Sequence, residues 1–377
     1  METAETSIYR KLQLHLDKYP IGYPATNSGV ELEILRLFFT EDEAKIALSL
    51  SLVNSPLWRI YRRYKKLFGN TITKEEISHK LDQMFMKGVI RRSEKPPYKY
   101  GNAMLALGMF EFQVDNLTPE LMNLLHQYFD EAFREEFFRS SIPQLRTSPH
   151  FKAIVPEHKI DTYDNMREYI QNTKDIIHVA NCVCKQGEAL LGKNCMVTDN
   201  IEICIQFGEG GYLDRGRSRV ITKEEALKIL DYAEERGLVI QPANSLQPFC
   251  ICLCCGCCCG VLTNAKKFER PAELFATNYI AHLESELCIG CGLCVKRCQM
   301  DALVKSEGKV KLLPERCIGC GLCVTKCPKN ALKLTKKSKN KKPPMNTEVL
   351  YMSILSSKVS KGKMILNLIK LGTGMRL

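Results

Sequence analysis

Eight cysteines near the C-terminal end constrain this chain more than any other feature. Cys288, Cys291, Cys294 and Cys298 follow the spacing C-x2-C-x2-C-x3-C, and Cys317, Cys320, Cys323 and Cys327 repeat it, closing on Pro328. The stretches LCIGCGLCVKRCQMDAL and RCIGCGLCVTKCPKNAL agree at most positions, which marks an internal duplication with a pseudo-symmetric product. Three thiolates on one tight loop can reach three iron corners of a cubane, while the fourth, carried away on the following helical turn, ligates a different cluster. The spacing therefore predicts one [4Fe-4S] cluster on Cys288, Cys291, Cys294 and Cys327, and a second on Cys317, Cys320, Cys323 and Cys298. Gly290, Gly292, Gly319 and Gly321 alternate with the ligands, where a residue without a Cβ lets the backbone wrap a cluster and aim N–H groups at its sulfurs. Disulfides suit this evenly spaced, duplicated run poorly, and structural zinc sites use paired C-x2-C knuckles instead.

On these residues the segment from about 277 to 335 resembles the bacterial-type two-cluster ferredoxin domain, with repeats at 277–306 and 307–336. The resemblance implies a small α+β unit with two short hairpins that passes single electrons between partners. Gln299 stands where that family usually carries a proline after the fourth cysteine. The change removes no ligand but alters the rigidity of the loop.

The remaining composition is consistent with metal chemistry in a reducing compartment. The chain has 377 residues, enough for two or three domains, and 19 cysteines, far above chance. METAETSIYRKLQ carries no apolar signal region and no run reaches the length of a membrane-spanning helix, so a cytoplasmic protein of an anaerobic or low-oxygen cell is expected, its thiols reduced and free to bind metal. The formal charge of +12 is concentrated in the tail: from Lys336 onward ten Lys or Arg stand against Glu348 alone. Two clusters would add roughly −4. The folded body is thus near neutral, and charge alone argues weakly for nucleic acid.

Residues 1–145 read as a mostly helical domain. EDEAKIALSLSL (41–52) has an acidic first turn, and TKEEISHKLDQMFMKGVIRR places Ile77, Leu81, Met84 and Phe85 on one helical face that Gly88 closes. A turn with Pro96 and Pro97 then leads to a strand-like segment, and Leu117 to Phe138 reads as a further amphipathic helix. Through LDQMFMKGVIRR, residues 30–115 are similar to a winged-helix domain, which binds DNA or protein. Arg59, Arg62, Arg63, Lys65 and Lys66, interleaved with Tyr61 and Tyr64, would be the DNA-binding cluster, with Arg91 and Arg92 opening the wing. Such a run is more often a solvated face, and a protein-docking or purely structural winged helix is the favoured expectation.

Residues 150–265 form an expected α+β middle domain with eleven more cysteines: Cys182, Cys184, Cys195 and Cys204, then Cys250, Cys252, Cys254, Cys255, Cys257, Cys258 and Cys259 in FCICLCCGCCCG. Between them, Thr222 and Glu225 make a capping box for a helix with Ala226, Ile229, Leu230 and Ala233 on its core face and Gly237 at its end, able to fold the chain back so that the two groups meet. A third iron–sulfur cluster and a zinc ion both suit such soft donors. Cys182, Cys184, Cys195 and Cys204 are the first candidates for ligands, with the seven cysteines of the later run as alternatives. His178 and His282 read as structural histidines, and GEGG (208–211) lacks the Lys-Ser or Lys-Thr of a phosphate loop.

Residues 336–377 complete the chain as a basic linker and a tail in which apolar runs alternate with Lys358, Lys361, Lys363 and Lys370, a pattern suited to packing or to peripheral membrane contact. The architecture resembles that of uncharacterised 4Fe-4S binding proteins of anaerobic bacteria. Three functions are compatible with it. An electron carrier that serves a redox partner protein comes first, then an iron–sulfur oxidoreductase with a third metal centre, then a redox-responsive DNA-binding regulator.

Overall fold

A computed structural model describes residues 7–154, 161–338 and 340–358, and the chain divides into two units. Of the tail from Val349, on which the membrane-contact expectation rested, the part up to Lys358 is helical with Leu350, Ile354 and Leu355 buried, and the part beyond lies outside the described residues. None of the described helices is long and apolar enough to cross a membrane.

The first unit contains the described residues up to Ser140, together with Glu209–Ser218 and the residues from Met352 on. Its elements are α1 (Ile8–Leu16), α2 (Val30–Phe38), α3 (Glu41–Ser49), β1 (Ser55–Pro56), α4 (Leu57–Phe68), α5 (Lys74–Lys87), β2 (Ile90–Arg92), β3 (Lys99–Asn102), α6 (Pro119–Tyr128) and α7 (Arg134–Phe138). Reciprocal capping boxes, Thr40 with Glu43 and Thr73 with Glu76, start α3 and α5. Gly88, in the left-handed conformation, ends α5. Ile77, Leu81, Met84 and Phe85 are buried as the periodicity requires. β3 lies between β1 and β2 in an antiparallel sheet.

Two details go beyond the sequence pattern. The strand-like segment stops at Asn102, and Leu105–Met109 makes a non-helical turn, extended at Ala106, with the Glu111 carboxylate accepting the Gly108 N–H at 2.6 Å. The helix expected over Leu117–Phe138 runs from Pro119 through Phe138 and widens for one turn at Phe129–Phe133, where Phe133 stacks on Tyr128 with centroids 5.4 Å apart. Arg215 anchors the Glu209–Ser218 segment by donating to the carbonyls of Phe85 (2.7 Å) and Ile90 (2.8 Å) between the rings of Phe85 and Phe112.

The second unit, residues 141–208 and 219–351, holds both the middle and the ferredoxin-like segments. It begins with α8 (Met166–Asn172) and continues with β4 (Ile177–Asn181), α9 (Val183–Leu190), β5 (Glu202–Phe207), β6 (Arg219–Val220), α10 (Lys223–Arg236), β7 (Val239–Pro242), β8 (Cys250–Cys254) and α11 (Gly260–Ala265). The strands form one antiparallel sheet in the order β6-β4-β5-β8-β7. Thr222 caps α10 by accepting the Glu225 N–H at 3.1 Å, Ala226, Leu230 and Ala233 pack into the sheet's core, and Gly237 ends the helix. Arg146 is fully buried and pairs with the equally buried Asp164 carboxylate, which also accepts from Asn278 at 3.0 Å.

The same unit continues with β9 (Tyr279–Leu283), α12 (Leu293–Arg297), β10 (Leu303–Ser306), β11 (Lys309–Leu312) and β12 (Leu332–Lys336). β10 and β11 form a hairpin, while β9 and β12, the outer strands of the two repeats, pair antiparallel with Leu283 opposite Leu332. Each repeat thus sends a cysteine loop out from between strands of these two ribbons.

Candidate metal centres

The duplicated cysteines surround two cavities. One is lined by Cys288, Cys291, Cys294 and Cys327, with Leu283, Val310 and Leu332. The other is lined by Cys298, Cys317, Cys320 and Cys323, with Met300, Ala302 and Ile318. Each cavity takes three sulfurs from one repeat's loop and the fourth from the other repeat, because α12 and the turn Val324–Lys326 carry Cys298 and Cys327 away from their own loops.

The surroundings suit an iron–sulfur cluster. The Ala302 N–H points at Cys298 Sγ (3.2 Å) and the Ala281 N–H at Cys317 Sγ (3.4 Å), donors of the kind that stabilise a thiolate-ligated cluster. Gly290 and Gly319, equivalent in the two repeats, both have positive φ, and a Cβ on either would overlap a backbone carbonyl, that of Gly308 or of Tyr279. Only glycine fits there. Burial pushes the thiols of Cys294, Cys298 and Cys323 up and that of Cys320 up to about 12. Thiols that resist ionisation without metal are ligands whose charge a bound iron must offset.

The two loops differ in exposure despite near-identical sequence. In the first, Ile289 is 58% and Leu293 49% exposed; their counterparts Ile318 and Leu322 are 2% and 0% exposed. Part of the cover over the second loop comes from the chain at His150–Ala153: the His150 N–H donates to the Cys320 carbonyl at 3.0 Å, and a Cβ on Gly321 would meet that of Ala153.

The middle cysteines also meet, in two groups. Cys195 joins Cys255, Cys257 and Cys258, with all four sulfurs within 4.8 Å of one another. The latter three sit on the turn between β8 and α11, and Cys195 lies beyond α9. Lys185 of α9, buried, donates to Cys195 at 2.7 Å and to Cys255 at 3.2 Å. A hydrogen bond from Cys258, assisted by the Lys185 charge, holds the Cys255 thiol well below the ordinary thiol range. Lys185 is in turn kept protonated, since Cys255 and Cys195 outweigh the burial that opposes its charge.

The second group lies along the sheet. Cys204 of β5 is the cross-strand partner of Cys252 of β8, and Cys250, Cys252 and Cys254 share one face of that strand. Thiol hydrogen bonds run from Cys254 to Cys259, and from Cys182 through Cys184 to Cys259. Those from Cys184 and Cys254 bring Cys259 down to about 6. Of the four middle ligands expected first, therefore, Cys195 alone belongs to the compact quartet, while Cys182, Cys184 and Cys204 lie in this second group. Sequence spacing could not pair Cys195 with residues some 60 positions away, and nothing in the pattern marked Lys185.

His178 is buried in β4, where burial lowers its pKa to about 4 and keeps it neutral; His282 is an exposed residue of β9. Arg91 and Arg92 are engaged inside the first unit. Arg91 donates to the carbonyls of Leu52 and Asn102, and Arg92 pairs with Asp82 and Asp214 between the rings of Phe85 and Tyr98.

Residues 281–334 match the family model described as the 4Fe-4S dicluster domain. The C-terminal segment is an iron–sulfur domain of this type. The match and the gathered cysteines support at least one [4Fe-4S] cluster. No curated protein and no solved structure matched the chain.

Proposed function

We propose that the protein is an iron–sulfur electron carrier in which the dicluster domain binds two [4Fe-4S] clusters and exchanges single electrons with a partner redox protein. The observation that carries this reading is the pair of cavities, each lined by four cysteines drawn from both repeats. A [4Fe-4S] cluster, when bound, supplies reversible one-electron chemistry at a potential set by ligation, hydrogen bonds and solvent exposure. In this chain Cys288, Cys291, Cys294 and Cys327 would hold one cluster and Cys317, Cys320, Cys323 and Cys298 the other. Leu287, Ile289 and Leu293 leave the edge of the first site open to a docking protein. Ile318 and Leu322 exclude water from the second, which lies beside the middle cysteines through Gln299.

The element order α3, β1, α4, α5, β2, β3 supports a winged-helix reading of the first unit, used for protein docking. A DNA-binding role has less support. Both wing arginines are committed internally, and α5, at the recognition-helix position, balances Lys74, Lys80 and Lys87 against Glu75, Glu76 and Asp82. An iron–sulfur oxidoreductase is the second reading, favoured by the thiol group around Cys204, Cys252 and Cys259.

Iron and acid-labile sulfide per chain on anaerobically purified protein, with EPR of the dithionite-reduced form, test the carrier. About eight of each supports it. Fewer than about four iron rejects the two-cluster assignment.

A further inference from the structure

Cys195, Cys255, Cys257 and Cys258 have the geometry of a site for one metal ion. Their sulfurs are separated by 3.6 Å (Cys195 to Cys255), 3.7 Å (Cys195 to Cys257), 3.4 Å (Cys255 to Cys257) and 3.6 Å (Cys257 to Cys258). These separations are far beyond a disulfide bond of about 2.05 Å. They are close to the edge of a zinc tetrathiolate: four sulfurs about 2.3 Å from one ion at tetrahedral angles lie about 3.8 Å apart. A cubane places each thiolate on a different iron, so its ligand sulfurs cannot be this crowded.

We propose that this quartet binds a single tetrahedral zinc ion, separate from the duplicated-cysteine sites. On binding, four Zn–S bonds form and the protons still carried by the thiols pass to solvent. A divalent ion with four thiolates has a net charge of −2, and the ammonium of Lys185, touching two of the sulfurs, offsets part of it inside the fold. All four positions are protein sulfurs, which makes the site closed and structural rather than catalytic. The ion would fix the turn between β8 and α11 and join it to the segment after α9, across some 60 residues of chain.

The full chain, produced with both metals available and purified without oxygen, should contain one zinc beside its iron and sulfide. Cys257→Ser and Cys195→Ser should each lower zinc to a tenth or less, leaving iron, sulfide and the reduced EPR signal unchanged. Cobalt supplied in place of zinc should give the visible d–d bands of a tetrahedral tetrathiolate in the wild type, a readout that needs no variant to fold. Absence of zinc and of that cobalt spectrum from the wild type overturns the proposal, as does zinc retained by both variants. Parallel loss of iron and sulfide in the variants also overturns it and assigns the quartet to a cluster. Low iron with zinc intact would instead reject the two-cluster reading and leave this proposal standing.

Discussion

The side chain of Gln299 accepts the Gly256 N–H at 2.7 Å, joining the residue after Cys298 to the residue between Cys255 and Cys257. Its amide nitrogen donates to the Gly237 carbonyl at 2.9 Å, and its backbone passes so close that a Cβ on Gly256 would overlap its carbonyl. A proline here would supply neither bond. The departure from the ferredoxin pattern therefore fastens one of the duplicated-cysteine sites to the middle cysteines. Gln299→Ala should shift the midpoint potential of one of two couples and leave the other unchanged. A lost bond worth about 1 kcal/mol corresponds to a shift on the order of 40 mV for one electron. Redox titration followed by EPR checks this, and equal movement of both couples would contradict it.

Ile289 and Ile318 occupy the same place in the two repeats and should answer the same substitution differently. Ile289→Asp alters an exposed edge, so metal content and thermal stability should persist while electron exchange with an acceptor protein slows about tenfold through loss of apolar docking surface. Ile318→Asp buries a carboxylate and should unfold or demetallate the domain. Stopped-flow reduction and thermal melting measure the two effects.

The Arg146–Asp164 pair is buried on both sides, and Asn278 occupies the second carboxylate oxygen. Asp164→Ala leaves the guanidinium buried without its counter-charge. A loss of about 3–5 kcal/mol is expected, read from the denaturant midpoint of the second unit. A loss below about 1 kcal/mol would show that water or another group replaces the carboxylate.

The ferredoxin-like segment was legible because its information is local. Cys288 to Cys298 and Cys317 to Cys327 each fit within eleven residues, and cluster geometry dictates those spacings. The helices around Ile77 and Ala226 were legible for the same reason, with cap, apolar stripe and terminal glycine lying in one window. The middle quartet was not. Cys195 finds Cys255 only after the sheet is in register, and in the run Cys250 to Cys259 the choice of sulfur depends on where β8 ends: Cys252 on the strand pairs with Cys204, Cys255, Cys257 and Cys258 on the following turn meet Cys195, and Cys259, at the end of that turn, returns to Cys254 and Cys184. The helix expected through Phe138 does form, and what the pattern did not mark is a wider turn within it at Phe129–Phe133, where Phe133 stacks on Tyr128.

His150 and His178 give the second unit a pH dependence whose sign follows from burial. Desolvation lowers both to about 4, against about 6.5 in an unfolded chain. His150 is held against the Leu238 carbonyl at 2.8 Å, and His178 lies within β4. Between those values the unfolded state takes up protons that the folded state refuses, so stability is full above pH ~6.5 and declines as pH falls towards ~4. Each histidine contributes a slope of at most about 1.4 kcal/mol per pH unit across that window, less for His178 because it is less completely desolvated. Denaturant midpoints should fall slightly from pH 7.5 to 6.5 and more steeply from 6.5 to 5.5. His150→Gln, which keeps a donor for the Leu238 carbonyl without a titrating group, should reduce the acid-side slope by up to half. An unchanged slope in that variant would mean that cluster loss, not histidine protonation, governs the acid limb.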